Sequence, residues 1–183
     1  MKIPKIKIYE DNNKILRSVS KEVTFPLSDE TKKTINDAIK YLECTQDEEL
    51  SEKYDLRPGM GLAFIQLGIP ERIFVITNKN EDETFERHTI INPKIISMSE
   101  EMIYVGEGEG CLSVNREIEG IVPRHARITV KSQDLDGNEF TIRVREDIAI
   151  AFQHEIDHLN GILFYDHIDK KDPYKDMHKM REI

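Results

Sequence analysis

The chain is short of cysteine, of basic charge and of long apolar runs, and each shortage removes a class of protein. Two cysteines, Cys44 and Cys111, in 183 residues are too few for a disulfide framework. A chain of this length can bury a hydrophobic core without such staples, and a reducing compartment would keep Cys111 available as a thiolate. Basic residues number 26 against 35 acidic ones, a formal net charge of −9. That balance works against direct nucleic-acid binding, which depends on neutralising phosphates with Lys and Arg. No stretch approaches the roughly 20 apolar residues that span a bilayer. The longest candidates are residues 62–69, interrupted by Gln66, and residues 148–152. The run Met1-Lys2-Ile3-Pro4-Lys5-Ile6-Lys7 has no apolar core of signal-peptide length, so a cytoplasmic protein with no membrane partner is expected. Internal repeats, low-complexity tracts and Gly/Ser linkers are also missing, which predicts one domain over residues 1–183.

What is present reads as a mixture of helices and strands. Ile35, Ala38, Ile39 and Leu42 recur at helical spacing, predicting a helix over 29–46 capped by Ser28 or Asp29. The acidic stretch 47–57 predicts a loop or frayed helix end, closed by Pro58-Gly59. Residues 72–77 and 89–92 are rich in Ile and Val and read as strands, with a polar loop over 78–87. Residues 128–135 and 138–144 flank Asp136-Gly137, a two-residue hairpin signal. Ile148, Phe152, Ile156 and Leu159 share one helical face over 147–160, and Gly161 follows where a C-terminal cap would fall. Beyond Tyr165 the chain is highly charged and reads as a solvated end. The expected fold is α+β, a central helix enclosed by mostly antiparallel sheets.

That central helix carries His154-Glu155-Ile156-Asp157-His158. Positions i and i+4 lie one turn apart, roughly 6 Å along the axis, so two imidazoles can grip one metal ion. Glu155 sits beside that face and can reach a water without being a ligand itself. A catalytic site of this kind takes three protein ligands and keeps a position open. The candidate third ligand is Cys111 in Gly108-Glu109-Gly110-Cys111-Leu112-Ser113, where glycines let the backbone pass close to other groups. Cys44 has no histidine near it in sequence and reads as an inert buried thiol. A third segment, Gly59-Met60-Gly61-Leu62-Ala63-Phe64-Ile65-Gln66, ends in an amide that could donate to a developing oxyanion.

These three segments, in this order, resemble the signature motifs of the peptide deformylases: GxGLAAxQ, EGCLS and HExDH. The similarity extends over almost the whole chain and looks like the longer bacterial branch of the family. It implies a hydrolase that removes the N-formyl group from the first methionine of new polypeptides, releasing formate. By the same resemblance Cys111, His154 and His158 hold one divalent metal ion. Ferrous iron is the implied native ion, and zinc, nickel or cobalt can replace it. Glu155 is implied as general base, Gln66 and the backbone N–H of Leu112 as oxyanion donors, and Gly61 and Gly110 as substrate-binding positions. The implied partners are N-formyl-Met nascent peptides and, transiently, the ribosome. One departure is Phe64, where the family usually has a second alanine. The ring either fits an altered neighbouring core or narrows the substrate groove. Two alternatives follow: an HExxH metallopeptidase, or a non-catalytic binding protein with Phe64 blocking the groove.

Two weaker signals fall away. Gly106, Gly108 and Gly110 are interleaved with Glu107 and Glu109, whose carboxylates would repel phosphate. An EF-hand reading of 134–137 would require Arg143 as the last calcium ligand, which it cannot be.

Overall fold

Hydrophobic residues on both faces of one strand set the architecture. The computed structural model describes residues 3–183, so Met1 and Lys2, the start of the charged N-terminal run and of the expected domain, lie outside the described residues. Strand β2 (Ile73–Lys79) begins with five buried residues in a row, the pattern of a strand covered on both sides. Ile73 and Val75 face a cluster with Ile35, Ala38 and Leu42 of helix α1 (Asp29–Thr45). Phe74 and Ile76 face a second cluster with Ala149, Phe152, Ile156 and Leu159 of helix α3 (Glu146–Leu159). The sheet therefore lies between the two long helices.

Around β2 the sheet is antiparallel throughout, in the order β1-β2-β3-β6-β7, with β1 Gly61–Ala63, β3 Phe85–Met98, β6 Arg127–Gln133 and β7 Glu139–Arg145. A smaller sheet joins β4 (Met102–Tyr104) to β5 (Arg124–His125) antiparallel and to β8 (Arg181–Glu182) parallel. Ile150 packs against Ile103 and Ala126 of this second sheet region. Helix α3 is thus enclosed between sheets, as the α+β reading expected.

Several boundaries differ from the sequence expectation. Residues 48–54 are a helix, α2 (Glu48–Tyr54), because Asp47 accepts from the Leu50 N–H and caps it. The expected loop over 78–87 shrinks to a short turn, because β2 and β3 stay paired out to Lys79 and Phe85. The β6–β7 connection is wider than a two-residue turn. Asp134 accepts from the N–H groups of Asp136 and Asn138, and Gly137 supplies the positive φ. The charged end is not merely solvated: Arg181 reaches Glu146 and Glu101, and β8 completes the small sheet.

Candidate metal centre

Helix α3 points two faces in different directions. Phe152, Ile156 and Leu159 enter the core, while His154 and His158 turn toward the loop that carries Cys111. The helix ends in a paired cap: the Gly161 N–H donates to His158 O and the Ile162 N–H to Asp157 O, with Gly161 at φ 73°. The last turn, which carries His158, is therefore fixed.

Cys111, His154 and His158 each offer a ligand atom, and these atoms lie within 4.8 Å of one another. The Cys111 Sγ is 3.2 Å from His158 Nε2, and the two imidazole centroids are 5.0 Å apart. One thiol and two imidazoles converging on one point, with no fourth protein ligand in the group, match an open site for a borderline-soft divalent ion. A buried polar atom there agrees with it: Glu155 Oε2 has no hydrogen-bond partner among the described residues. A buried polar group left alone is rare unless an ion or water meets it.

Residues to which sequence reasoning gave no role orient the candidate ligands. His154 Nδ1 is 2.8 Å from Glu109 Oε2. Glu109 in turn receives two hydrogen bonds from Arg124, whose third branch donates to Asp157 at 2.6 Å. His167 reaches the same Asp157 oxygen from the surface at 2.7 Å. Burial alone would push Glu109 up, but the Arg124 guanidinium and the His154 hydrogen bond hold it down to about 2. Burial opposes charge on His154 too, yet its bonds to Cys111 and Glu109 raise it well above the ordinary histidine value. Burial and the neighbouring His154 charge hold His158 well below it. No sequence signal joined this network: Glu109 stands among glycines beside Glu107, and nothing in its spacing from Arg124 connects the two.

Glu155 is buried beside the ligands, and burial raises its carboxyl to about 7. Gly61 makes room for it: a Cβ at Gly61 would collide with the Glu155 carboxyl group. Gln66 is buried, its Oε1 accepting from the Ala63 N–H and its Nε2 donating to Ser113 Oγ at 3.0 Å and lying 3.6 Å from the Cys111 sulfur. Gly110 has open space where a side chain would be. All of these border one cleft of about 540 Å³, whose apolar wall includes Met60, Val105, Leu112, Ile150 and Ala151.

Phe64 does not border the cleft. It is 1% exposed and packs with Leu27, Ile35, Leu42 and Val75 on the α1 side of the sheet. The ring fits an altered core rather than narrowing the groove, which removes the ground for a blocked, non-catalytic protein. Cys44 is buried on α1, and desolvation raises its thiol, in keeping with an inert role.

A family model described as Polypeptide deformylase matches residues 5–174. Peptide deformylase 2 of Bacillus anthracis is 47% identical over 167 residues, covering 91% of each chain. The solved peptide deformylase of Thermotoga maritima superposes with a TM-score of 0.70 at 34% identity, covering 90% of this chain and 97% of that one. A class I type b peptide deformylase from Acinetobacter baumannii, solved with Met-Ala-Ser bound, gives a TM-score of 0.70 at 27% identity and covers 89% and 98%.

Proposed function

The chain belongs to the polypeptide deformylase family, metal-dependent hydrolases that remove the N-formyl group from new polypeptides, and we propose how its residues divide that work. Cys111, His154 and His158 hold one divalent ion. We assign ferrous iron as the resident ion, with zinc, nickel or cobalt able to take its place, because a thiolate with two imidazoles suits each of them. When bound, such an ion lowers the pKa of a water and polarises a carbonyl oxygen.

Glu155 is the general base. Its free Oε2 and its pKa of about 7 suit a group that must take a proton and return it near neutral pH. It takes a proton from the attacking water as the oxygen–carbon bond to the formyl carbon forms. It then delivers that proton to the amine as the carbon–nitrogen bond breaks, giving formate and a free N-terminal methionine. Negative charge on the former carbonyl oxygen meets the Leu112 N–H, which no described residue accepts. It also meets the amide of Gln66. Ser113 takes one Nε2 hydrogen and the second is directed at the Cys111 sulfur at 3.6 Å, a long contact that the oxyanion replaces. Gly61 gives the Glu155 carboxyl room beside the substrate backbone, and Gly110 leaves the opposite wall open for the peptide. The methionine side chain occupies the apolar wall of Val105, Ile150 and Ala151.

The observation that carries this reading is the convergence of three ligand atoms beside a buried, half-satisfied carboxyl group. Its test is formate release from formyl-Met-Ala-Ser by protein loaded anaerobically with iron or nickel. Glu155→Ala should abolish release while the metal stays bound. No release from folded, metal-loaded wild type would overturn the assignment. Because formylated chains arise on ribosomes, we further propose a cytoplasmic enzyme that contacts ribosomes transiently. Co-sedimentation at physiological salt checks that contact, and absence from the ribosomal pellet would refute it.

A further inference from the structure

Arg57 is a cation committed to neutral partners. Its Nη2 donates to the Cys111 carbonyl at 2.6 Å, and its Nη1 donates to Asn115 Oδ1 at 2.6 Å and to the Val114 carbonyl at 3.0 Å. Among the described residues no carboxylate forms an ion pair with it. The backbone that carries this exposed side chain is anchored on both sides. Two residues on, the Gly59 carbonyl accepts from Gln46 Nε2 at 2.8 Å, and the Gly59 N–H donates to Thr45 Oγ1 at 3.1 Å. One residue before, the Leu56 N–H donates to Ser51 O at the end of α2. The mount is two ordered helix ends, which suits a group that must hold a fixed direction.

The carbonyl of Cys111 and the N–H of Leu112 belong to one peptide group. A short hydrogen bond from a charged donor is stronger than a neutral one, and it draws electrons toward the carbonyl oxygen. The amide at the other end becomes a better donor, since linked hydrogen bonds polarise one another by roughly 10–30%. We propose that Arg57 is a positioning residue that fixes and polarises the Cys111–Leu112 peptide group, strengthening the Leu112 N–H toward the oxyanion. This rests on Leu112 being an oxyanion donor. Arg57 itself does not touch the reacting atoms; it acts through the backbone that also carries the sulfur ligand.

The test follows the Leu112 amide by nitrogen–proton correlation spectroscopy on the full chain loaded with zinc, beside steady-state kinetics on formyl-Met-Ala-Ser. Adding a methionyl hydroxamate should move the wild-type Leu112 resonance downfield. In Arg57→Gln the resting Leu112 amide should lie upfield of wild type. Its kcat should fall roughly tenfold, less than the 10²–10³ that follows loss of a whole oxyanion donor. KM and zinc content should hold, and Arg57→Lys, which keeps a charged donor, should recover part of kcat. An unmoved wild-type amide on hydroxamate binding would withdraw the Leu112 assignment and this role with it. A responsive wild-type amide that is unchanged by Arg57→Gln would overturn the role of Arg57 alone. A raised KM or lost zinc with kcat intact would also overturn it, in favour of a residue that only holds the loop.

Discussion

Phe64→Ala should weaken the fold and spare the chemistry. The ring is 1% exposed among Leu27, Ile35, Leu42, Leu62 and Val75, on the sheet face opposite the metal-ligand helix. Truncating a fully buried phenylalanine removes its transfer free energy and leaves a cavity, together about 3–5 kcal/mol. For a chain of this size each kcal/mol moves the thermal midpoint by roughly 2–4 °C. The expected drop is therefore about 6–20 °C, a large share of a total stability of about 5–15 kcal/mol. The assay pairs denaturant unfolding of the nickel-loaded protein, at fixed free metal, with kcat/KM measured well below the transition. Activity per folded molecule should stay within about twofold of wild type, because the ring contributes nothing to the cleft. A Phe64→Ala protein that keeps its midpoint but turns over bulkier first residues would refute the argument and restore Phe64 to the groove.

Three further outcomes follow. Glu155→Gln should stabilise the metal-free protein at pH 8 while abolishing turnover. A carboxyl raised from 4.5 to about 7 by burial destabilises the fold by about 3 kcal/mol once ionised. That penalty grows as pH rises from 4.5 and is complete above 7, so the two denaturation midpoints should converge near pH 4.5; a constant gap would refute it. Glu109 works in the opposite sense. Held down to about 2 by Arg124 and His154, it stabilises the fold above its unfolded value of 4.5 and loses that contribution as pH falls toward 2. Glu109→Gln should flatten the acid limb of stability and weaken metal affinity by about 10- to 100-fold, read by competition with a chelating dye; unchanged affinity would count against the orienting role. Finally, the iron form should lose activity in air faster than the nickel form, with Cys111 oxidation seen by mass spectrometry. Equal half-lives would count against a thiolate-ligated ferrous site.

The candidate ligands were legible in the sequence because two of them obey helix geometry. His154 and His158 are separated by four residues on a helix whose apolar stripe, Phe152, Ile156 and Leu159, announces itself by the same period. Cys111 lies far from both in sequence; its thiol chemistry and glycine-flanked loop made it a candidate, and the resemblance of that loop tied it to them. The Glu109–Arg124–Asp157 network had no such marker, since long-range ion pairs obey no spacing rule and look like surface charge until burial is known. The same holds for Arg57, whose partners are backbone carbonyls and a neutral amide. The charged end misled because composition reports solvation, whereas the pairing of β8 with β4 rests on backbone hydrogen bonds that any side chains permit.

One atom the fold leaves unsatisfied is the one the proposed reaction needs. Among the described residues three buried side-chain atoms lack partners, and one of them, Glu155 Oε2, belongs to a residue that lines the cleft. A fold selected for stability alone would place a donor against that carboxylate. Gly61 shows the opposite choice, a residue without a side chain where any other would crowd Glu155. The instability is contained because everything around it is pinned: His154 by Glu109, Glu109 by Arg124, the Cys111 loop by Arg57, and the last turn of α3 by the Gly161 cap. A carboxyl that is badly solvated but well positioned can gain and lose a proton without reorganising its surroundings, and reorganisation is what makes the same transfer slow in water.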